Sequence, residues 1–111
     1  MEISASKDRQ RAPEVAPVER GGVRYEQASD GRDLGADTAD GVLAALDAKS
    51  GKLLWILTVY RTPIDPKLET DVQWRFFTSM AFDSKGRLRI SNEAGKTFLV
   101  DVATRTVTAA Q

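Results

Sequence analysis

The sequence predicts an all-β fold: a single small domain of about six antiparallel strands, barrel-like or sandwich, with one short helical turn near residues 66–71. Two observations carry this prediction. Short segments of alternating apolar and polar residues recur at intervals of about ten residues, with glycine in most of the intervening turns. One segment, residues 42–60, has the pattern of a β-hairpin.

The predicted hairpin organises the rest of the chain. Its second arm, Leu53 to Tyr60, is largely apolar on both faces, which is typical of a central strand that is covered twice. Leu53, Trp55 and Leu57 would share one face, and Trp55 would be a core residue. Between the arms, Asp47 and Gly51 supply the side-chain acceptor and the left-handed residue of a short hairpin loop.

The segment from Ala45 to Trp55, ALDAKSGKLLW, resembles the repeat of quinoprotein-type β-propellers, an Ala-x-Asp-x-x-Thr-Gly-x-x-x-Trp run whose tryptophan docks between blades. Ser50 stands where that family prefers threonine. The resemblance implies a blade-like hairpin and a packing role for Trp55. It does not extend to the quinone cofactor or the dehydrogenase activity, because a propeller needs roughly four or more blades of about 40 residues. As a whole, the chain is similar to small bacterial proteins encoded on mobile gene cassettes, which implies no activity.

The segments before the hairpin are more polar. Residues 1–18 predict a polar N-terminal tail, with the β domain over residues 19–111. Glu19 to Ser29 predicts an edge strand with Val23 and Tyr25 on its apolar face. Residues 30–41 hold four Asp and three Gly, which favours a solvated loop with local Asx turns. We considered calcium there, but the loop lacks the ordered ligand ladder of a calcium site.

The segments after the hairpin alternate turns and strands. Asp65 followed by Pro66 is typical of a helix start, and residues 73–82 predict a well-buried strand with Phe77 on its outer face. Three more strands are predicted over residues 87–91, over residues 96–101 and around Val107, in a meander with turns at residues 83–86 and 92–95.

Composition excludes several classes of chemistry. The chain has sixteen Lys plus Arg, sixteen Asp plus Glu, no Cys and no His. Disulfides, thiolate nucleophiles, Ser-His-Asp arrangements and ordinary zinc, copper or haem sites are therefore excluded. We expect no cofactor and no metal. No apolar run approaches the roughly 18 residues of a spanning helix, so we expect a cytoplasmic protein without membrane association.

One group of residues is the candidate ligand-binding site. Tyr60 precedes Arg61 and Trp74 precedes Arg75, and aromatic and arginine side chains are the usual anchors of binding surfaces. The competing interpretation is that both aromatic rings pack into the core and the two arginines lie in solvent, and the sequence alone favours it.

Two further groups have simpler explanations. Arg87 and Arg89, with Lys85 and Lys96 nearby, could follow a phosphate backbone, but with zero net charge we do not expect nucleic acid as a partner. The carboxylates near the predicted helical turn could act as acid and base, although helix capping explains them as well; they are Asp65, Glu69 and Asp71.

These observations favour a non-catalytic binding or protein-interaction module of unknown ligand. The alternative is a small isomerase or hydrolase that uses carboxylates and arginine. A homodimer is also predicted, because strands that are apolar on both faces would expose Leu54, Ile56 and Phe77 unless a second copy covered them.

Overall fold

The computed structural model describes residues 15–62, 67 and 73–110. Within these residues, eight strands form two four-stranded antiparallel sheets, and one 3-10 turn spans Gly31–Leu34. Sheet 1 contains β1 (Val18–Arg20), β2 (Val23–Gln27), β3 (Val42–Asp47) and β4 (Leu53–Thr58). Sheet 2 contains β5 (Phe77–Phe82), β6 (Leu88–Asn92), β7 (Thr97–Asp101) and β8 (Thr106–Ala110).

The all-β prediction is confirmed, but the number of strands differs from it, and of the two predicted arrangements, barrel-like or sandwich, the closed barrel is not formed. There are eight strands rather than about six, and they form two open meanders rather than a closed barrel. Apart from Lys67, the residues of the helical turn predicted near residues 66–71 lie outside the described residues, as do residues 1–14 of the predicted tail. Of the remaining tail residues, Val15 packs against the core and Val18 begins β1.

One hydrophobic core lies between the two sheets. Sheet 1 contributes Tyr25 and Leu43, and sheet 2 contributes Leu88, Ile90 and Val100. The Tyr25 ring lies 5.6 Å from the ring of Phe82 across the core. Strands β1 and β5, the first of each sheet, lie against each other. Removal of this apolar surface from water is the main force that holds the sheets together.

The strand predicted over Glu19 to Ser29 is the second half of a hairpin. Gly21 and Gly22, with φ of 61° and 80°, reverse the chain between β1 and β2. The predicted apolar face is nevertheless correct, since Tyr25 is buried. The prediction of an edge strand is wrong, because β1 lies at the edge of sheet 1 and β2 pairs with β1 on one side and β3 on the other.

The prediction that Leu53 to Tyr60 forms a central, doubly covered strand is wrong. Strand β4 is at the edge of sheet 1, and Leu53 and Leu54 are 41% and 48% exposed. Ala45 pairs with Trp55 but Leu46 pairs with Leu53, so Leu54 is the extra residue of a β-bulge. The bulge puts Leu53 on the opposite face from Trp55, and Trp55 is half-buried against the core.

The strand that is covered on both faces is β3. Val42 and Ala44 point away from sheet 2 but are buried, because the loop of residues 28–41 lies over them. A Cβ on Gly31 would fall 2.4 Å from a methyl group of Val42, so this close approach of loop and strand requires glycine.

The predicted position of Phe77 on the outer face is wrong, because β5 contains a second bulge. Phe77 pairs with Asn92 and Ser79 pairs with Ser91, which leaves Thr78 as the extra residue. The interrupted alternation turns Phe77 into the core, where it is fully buried, instead of onto the outer face. The remaining strands of sheet 2 face as predicted, with Leu88 and Ile90 inward.

Candidate functional site

A cavity of about 510 Å³ lies where the chain leaves β4 and where the turn between β6 and β7 meets it. Its size is within the range of small-molecule sites. We call it the basic pocket; its described lining consists of Tyr60, Arg61, Thr62, Gln73, Arg75, Asn92, Ala94, Lys96 and Phe98.

The apolar wall of the basic pocket is a stacked aromatic pair. The rings of Tyr60 and Phe98 have centroids 5.0 Å apart and planes inclined by 17°. The Tyr60 hydroxyl donates a hydrogen bond to the carbonyl oxygen of Arg75. Burial, and after it the negative charge of Asp40, raises the pKa of Tyr60, so this hydroxyl keeps its proton. The wall is therefore held in place by stacking and by a hydrogen bond.

A buried carboxylate fixes the segments on either side of the basic pocket. Asp40 is fully buried and accepts hydrogen bonds from the hydroxyl of Thr38 at 2.9 Å and the backbone N–H of Arg75 at 2.8 Å. It also accepts from the hydroxyl of Thr62. Since a buried charge is tolerated only with such partners, Asp40 determines where Thr62 and Arg75 lie. It is a positioning residue, because it does not itself line the pocket.

The turn between β6 and β7 forms another side of the pocket. The side-chain oxygen of Asn92 accepts from the N–H groups of Ala94 and Lys96, both at 3.0 Å. The Glu93 carboxylate accepts from the N–H of Phe76 at 3.0 Å. This turn is thereby fixed to the strand that follows Arg75, and Lys96 is placed at the pocket.

The charged residues among the described lining of the pocket are all basic. Arg61, Arg75 and Lys96 line the pocket, and no carboxylate is among its described lining residues. Arg61 forms an ion pair with Asp37 in which both side chains are largely exposed, so solvent screens the pair strongly. The hydrogen bond from Arg61 lowers the pKa of Asp37. Arg75 donates to the carbonyl oxygens of Gln73 and Trp74, at 3.1 and 3.2 Å.

The structure brings together three of the four candidate site residues. Tyr60, Arg61 and Arg75 line the basic pocket, whereas Trp74 is not part of its described lining. Trp74 instead lies beneath the guanidinium of Arg32, which is 5.7 Å from the ring centroid.

Sequence reasoning missed the residues that come from other segments. Phe98 was predicted to point inward, and its aromatic character was the signal for a pocket wall. Lys96 was assigned to a different surface. Asp40 was interpreted as one of several solvated loop carboxylates, which is wrong because Thr38 and Asp40 are both buried.

The basic residues considered for nucleic acid lie along β6 and its flanks. Arg89 is exposed within β6, Lys85 and Arg87 precede the strand, and Lys96 follows it. Arg87 is held by Asp83 in an ion pair at 3.0 Å. The carboxylates of the enzyme alternative, Asp65, Glu69 and Asp71, lie outside the described residues.

Two searches of the described residues were negative. No group of three or more carboxylates there is arranged to hold a metal ion. No helix in the same residues is long and apolar enough to cross a membrane. Comparison of the chain with protein-family models, with curated proteins and with solved structures gave no match.

Proposed function

We propose that this chain is a non-catalytic binding module whose basic pocket takes a small anionic molecule that has a planar or apolar part. One observation carries the proposal: three basic side chains and a stacked aromatic pair surround a single cavity of about 510 Å³.

The charges of the pocket favour an acidic group on the ligand. Guanidinium groups match carboxylate and phosphate oxygens in two-point hydrogen bonds. Arg61 is held by a screened surface pair, so it can exchange Asp37 for a ligand oxygen at little cost. Tyr60 and Phe98 offer an apolar surface for the rest of the ligand.

The same lining supports binding over catalysis. General acid–base chemistry needs a group that exchanges a proton near neutral pH. The Tyr60 hydroxyl is committed to the Arg75 carbonyl and its pKa is raised. Asp40 is buried behind the pocket with three donors on its oxygens.

Thermal unfolding with defined probes tests this proposal. Phenyl phosphate carries both a ring and a dianion, benzyl alcohol carries the ring alone, and inorganic phosphate carries the charge alone. A ligand that binds only the native state raises the melting temperature. We expect the largest rise with phenyl phosphate and the smallest with benzyl alcohol.

Matched variants locate the effect. Lys96→Gln removes a basic group from the pocket, and Lys49→Gln removes one from the exposed turn after β3. The rise should shrink in the first variant and persist in the second. Equal rises in both variants, or none in the wild type, would exclude the pocket as an anion site.

We also infer that the two sheets are blade-like units of the kind implied by the resemblance of residues 45–55. Each sheet is a four-stranded meander. Trp55 lies between them: its ring meets Tyr25 of sheet 1 at 6.0 Å and the guanidinium of Arg105, in the last turn of sheet 2, at 4.8 Å. A packing role for Trp55 between units is what that resemblance implies.

Self-association is part of the same proposal. The exposed large apolar side chains of the described residues are Leu34, Leu53 and Leu54. This surface shares Leu54 with the one predicted from sequence but does not include Phe77, which is buried. It supports at least the predicted homodimer. A cytoplasmic location and a bacterial gene-cassette origin stay predictions.

A further inference from the structure

The last hairpin of each sheet contains the same turn. The N–H groups of the second and third residues after an aspartate donate to its carboxylate, at 2.8 and 2.9 Å for Asp47 and at 3.0 and 3.2 Å for Asp101. The fourth residues, Gly51 and Arg105, donate to the aspartate carbonyl and have positive φ values of 77° and 59°. Asp47 and Asp101 are therefore equivalent positions in two copies of one structural unit.

The two units turn opposite faces toward the shared core. In sheet 1 the core-facing residues are two and four positions before the aspartate, namely Ala45 and Leu43. In sheet 2 they are one and three positions before it, namely Val100 and Phe98. Since side chains alternate along a strand, this difference of one residue means that opposite faces of equivalent strands meet. The units are stacked head to tail, not related by a two-fold axis.

Because opposite faces of the two units meet in the core, the outer face of sheet 1 and the outer face of sheet 2 are not equivalent. The outer face of sheet 1, which we call the leucine face, presents Leu46 and Leu53 beside Leu34 and is equivalent to the core-facing side of sheet 2. The outer face of sheet 2, which we call the small-residue face, is equivalent to the core-facing side of sheet 1 and presents Ser79, Ala81, Arg89, Leu99 and Thr108.

We propose that copies of this chain associate head to tail, with the leucine face of one copy against the small-residue face of the next. This deepens the proposed self-association by naming its geometry. The contact would repeat the order of faces that already joins sheet 1 to sheet 2, with Leu34 of the loop of residues 28–41 forming part of the leucine face. Exposed leucines would meet a face whose side chains, apart from Arg89 and Leu99, are short. Arg89 is exposed on one face, while the carboxylate of Asp33 borders the other.

Head-to-tail association is not limited to two chains. In a head-to-tail pair, one leucine face and one small-residue face remain free, so the pair can add further copies until a ring closes. A two-fold dimer that pairs two leucine faces would stop at two chains. The molecular mass in solution, compared with the chain mass of 12.2 kDa, distinguishes the arrangements.

The test measures mass by light scattering after size exclusion, for the wild type and for one variant on each face. Leu53→Glu alters the leucine face and Arg89→Glu alters the small-residue face. Both side chains are exposed, and circular dichroism checks the fold. If either variant fails to fold, Leu34→Glu and Thr108→Arg serve in its place, and Lys49→Glu in an exposed turn is the control.

Head-to-tail association predicts a wild-type mass above twice 12.2 kDa and a mass near 12.2 kDa for each face variant. An equimolar mixture of the two variants should recover a dimer, because each supplies the intact face that the other lacks. A wild type that stays at the chain mass overturns the proposal. A two-fold dimer that only Leu53→Glu dissociates also overturns it. Neither face contributes to the basic pocket, so phenyl phosphate should still stabilise the variants, and the binding proposal stands or fails separately.

Discussion

At the residue scale, Asp40 shows what local sequence cannot reveal. It belongs to a loop with four aspartates, and two of the others behave as expected on the surface: Asp30 pairs with Arg32 and Asp37 pairs with Arg61. Nothing in the neighbouring sequence separates Asp40 from them. Its burial depends on Thr62 and Arg75, which are far along the chain and approach only when the sheets pack.

Replacement of Asp40 by alanine should lower the free energy of unfolding by about 2 to 4 kcal/mol, because it leaves buried donors without an acceptor. The midpoint of denaturant unfolding measures this. The matched control is Asp37→Ala, which removes an exposed partner and should change the midpoint little. Similar midpoints for both variants would contradict the role assigned to Asp40.

Trp55 lies where the two sheets meet. It was predicted to be a core residue, and it is half-buried against the core between the sheets. Trp55→Ala should therefore cost about 2 to 3 kcal/mol, somewhat less than the usual value for a fully buried tryptophan. Leu54→Ala, at an exposed bulge position, should cost far less in the same denaturant experiment. The reverse order would show that Trp55 does not join the sheets.

At the element scale, sequence patterns predicted strands and turns well and failed at the bulges. The turn after Asp47 and the inward faces of β6 and β7 follow directly from glycine placement and alternation. Leu53 and Phe77 were assigned to the wrong faces because each lies beside an extra residue in its strand. A bulge is determined by the pairing between strands, which a single strand's alternation does not contain.

Hydrogen bonds to aspartates in the turns make the stability of the fold depend on pH in the acid range. Backbone N–H groups of the turns lower the pKa values of Asp47 and Asp83, and the hydrogen bond from Arg32 lowers that of Asp30. For a carboxylate with a lowered folded pKa, the stability contribution is present above the ordinary value of 3.8 and is lost as pH falls below it.

We therefore expect a melting temperature that changes little from pH 7 to about 5 and falls steeply below about 4. The double variant Asp47→Asn with Asp83→Asn should show a shallower fall in the same melting series. A steep fall already between pH 7 and 5 would mean that other groups control acid stability.

At the scale of the whole molecule, the sequence predicted an all-β domain, barrel-like or sandwich, and did not predict which strands form each of the two four-stranded sheets. It also grouped Tyr60, Arg61 and Arg75, which line one cavity, because each arginine directly follows an aromatic residue. Lys96 and Phe98 could not be joined to them, because they belong to a hairpin of the other sheet. The basic pocket is thus a product of sheet packing.

A titration of the ¹⁵N-labelled protein with phenyl phosphate, followed by amide chemical shifts, tests whether the basic pocket binds anions. We expect saturable shifts at the amides of Thr62, Ala94, Lys96 and Phe98, with none in the distant turn of residues 48–52. Benzyl alcohol should produce much smaller shifts at the same amides. Shifts that are absent from the pocket, or that cluster instead around Leu34 and Leu53, would show that the pocket is not an anion site.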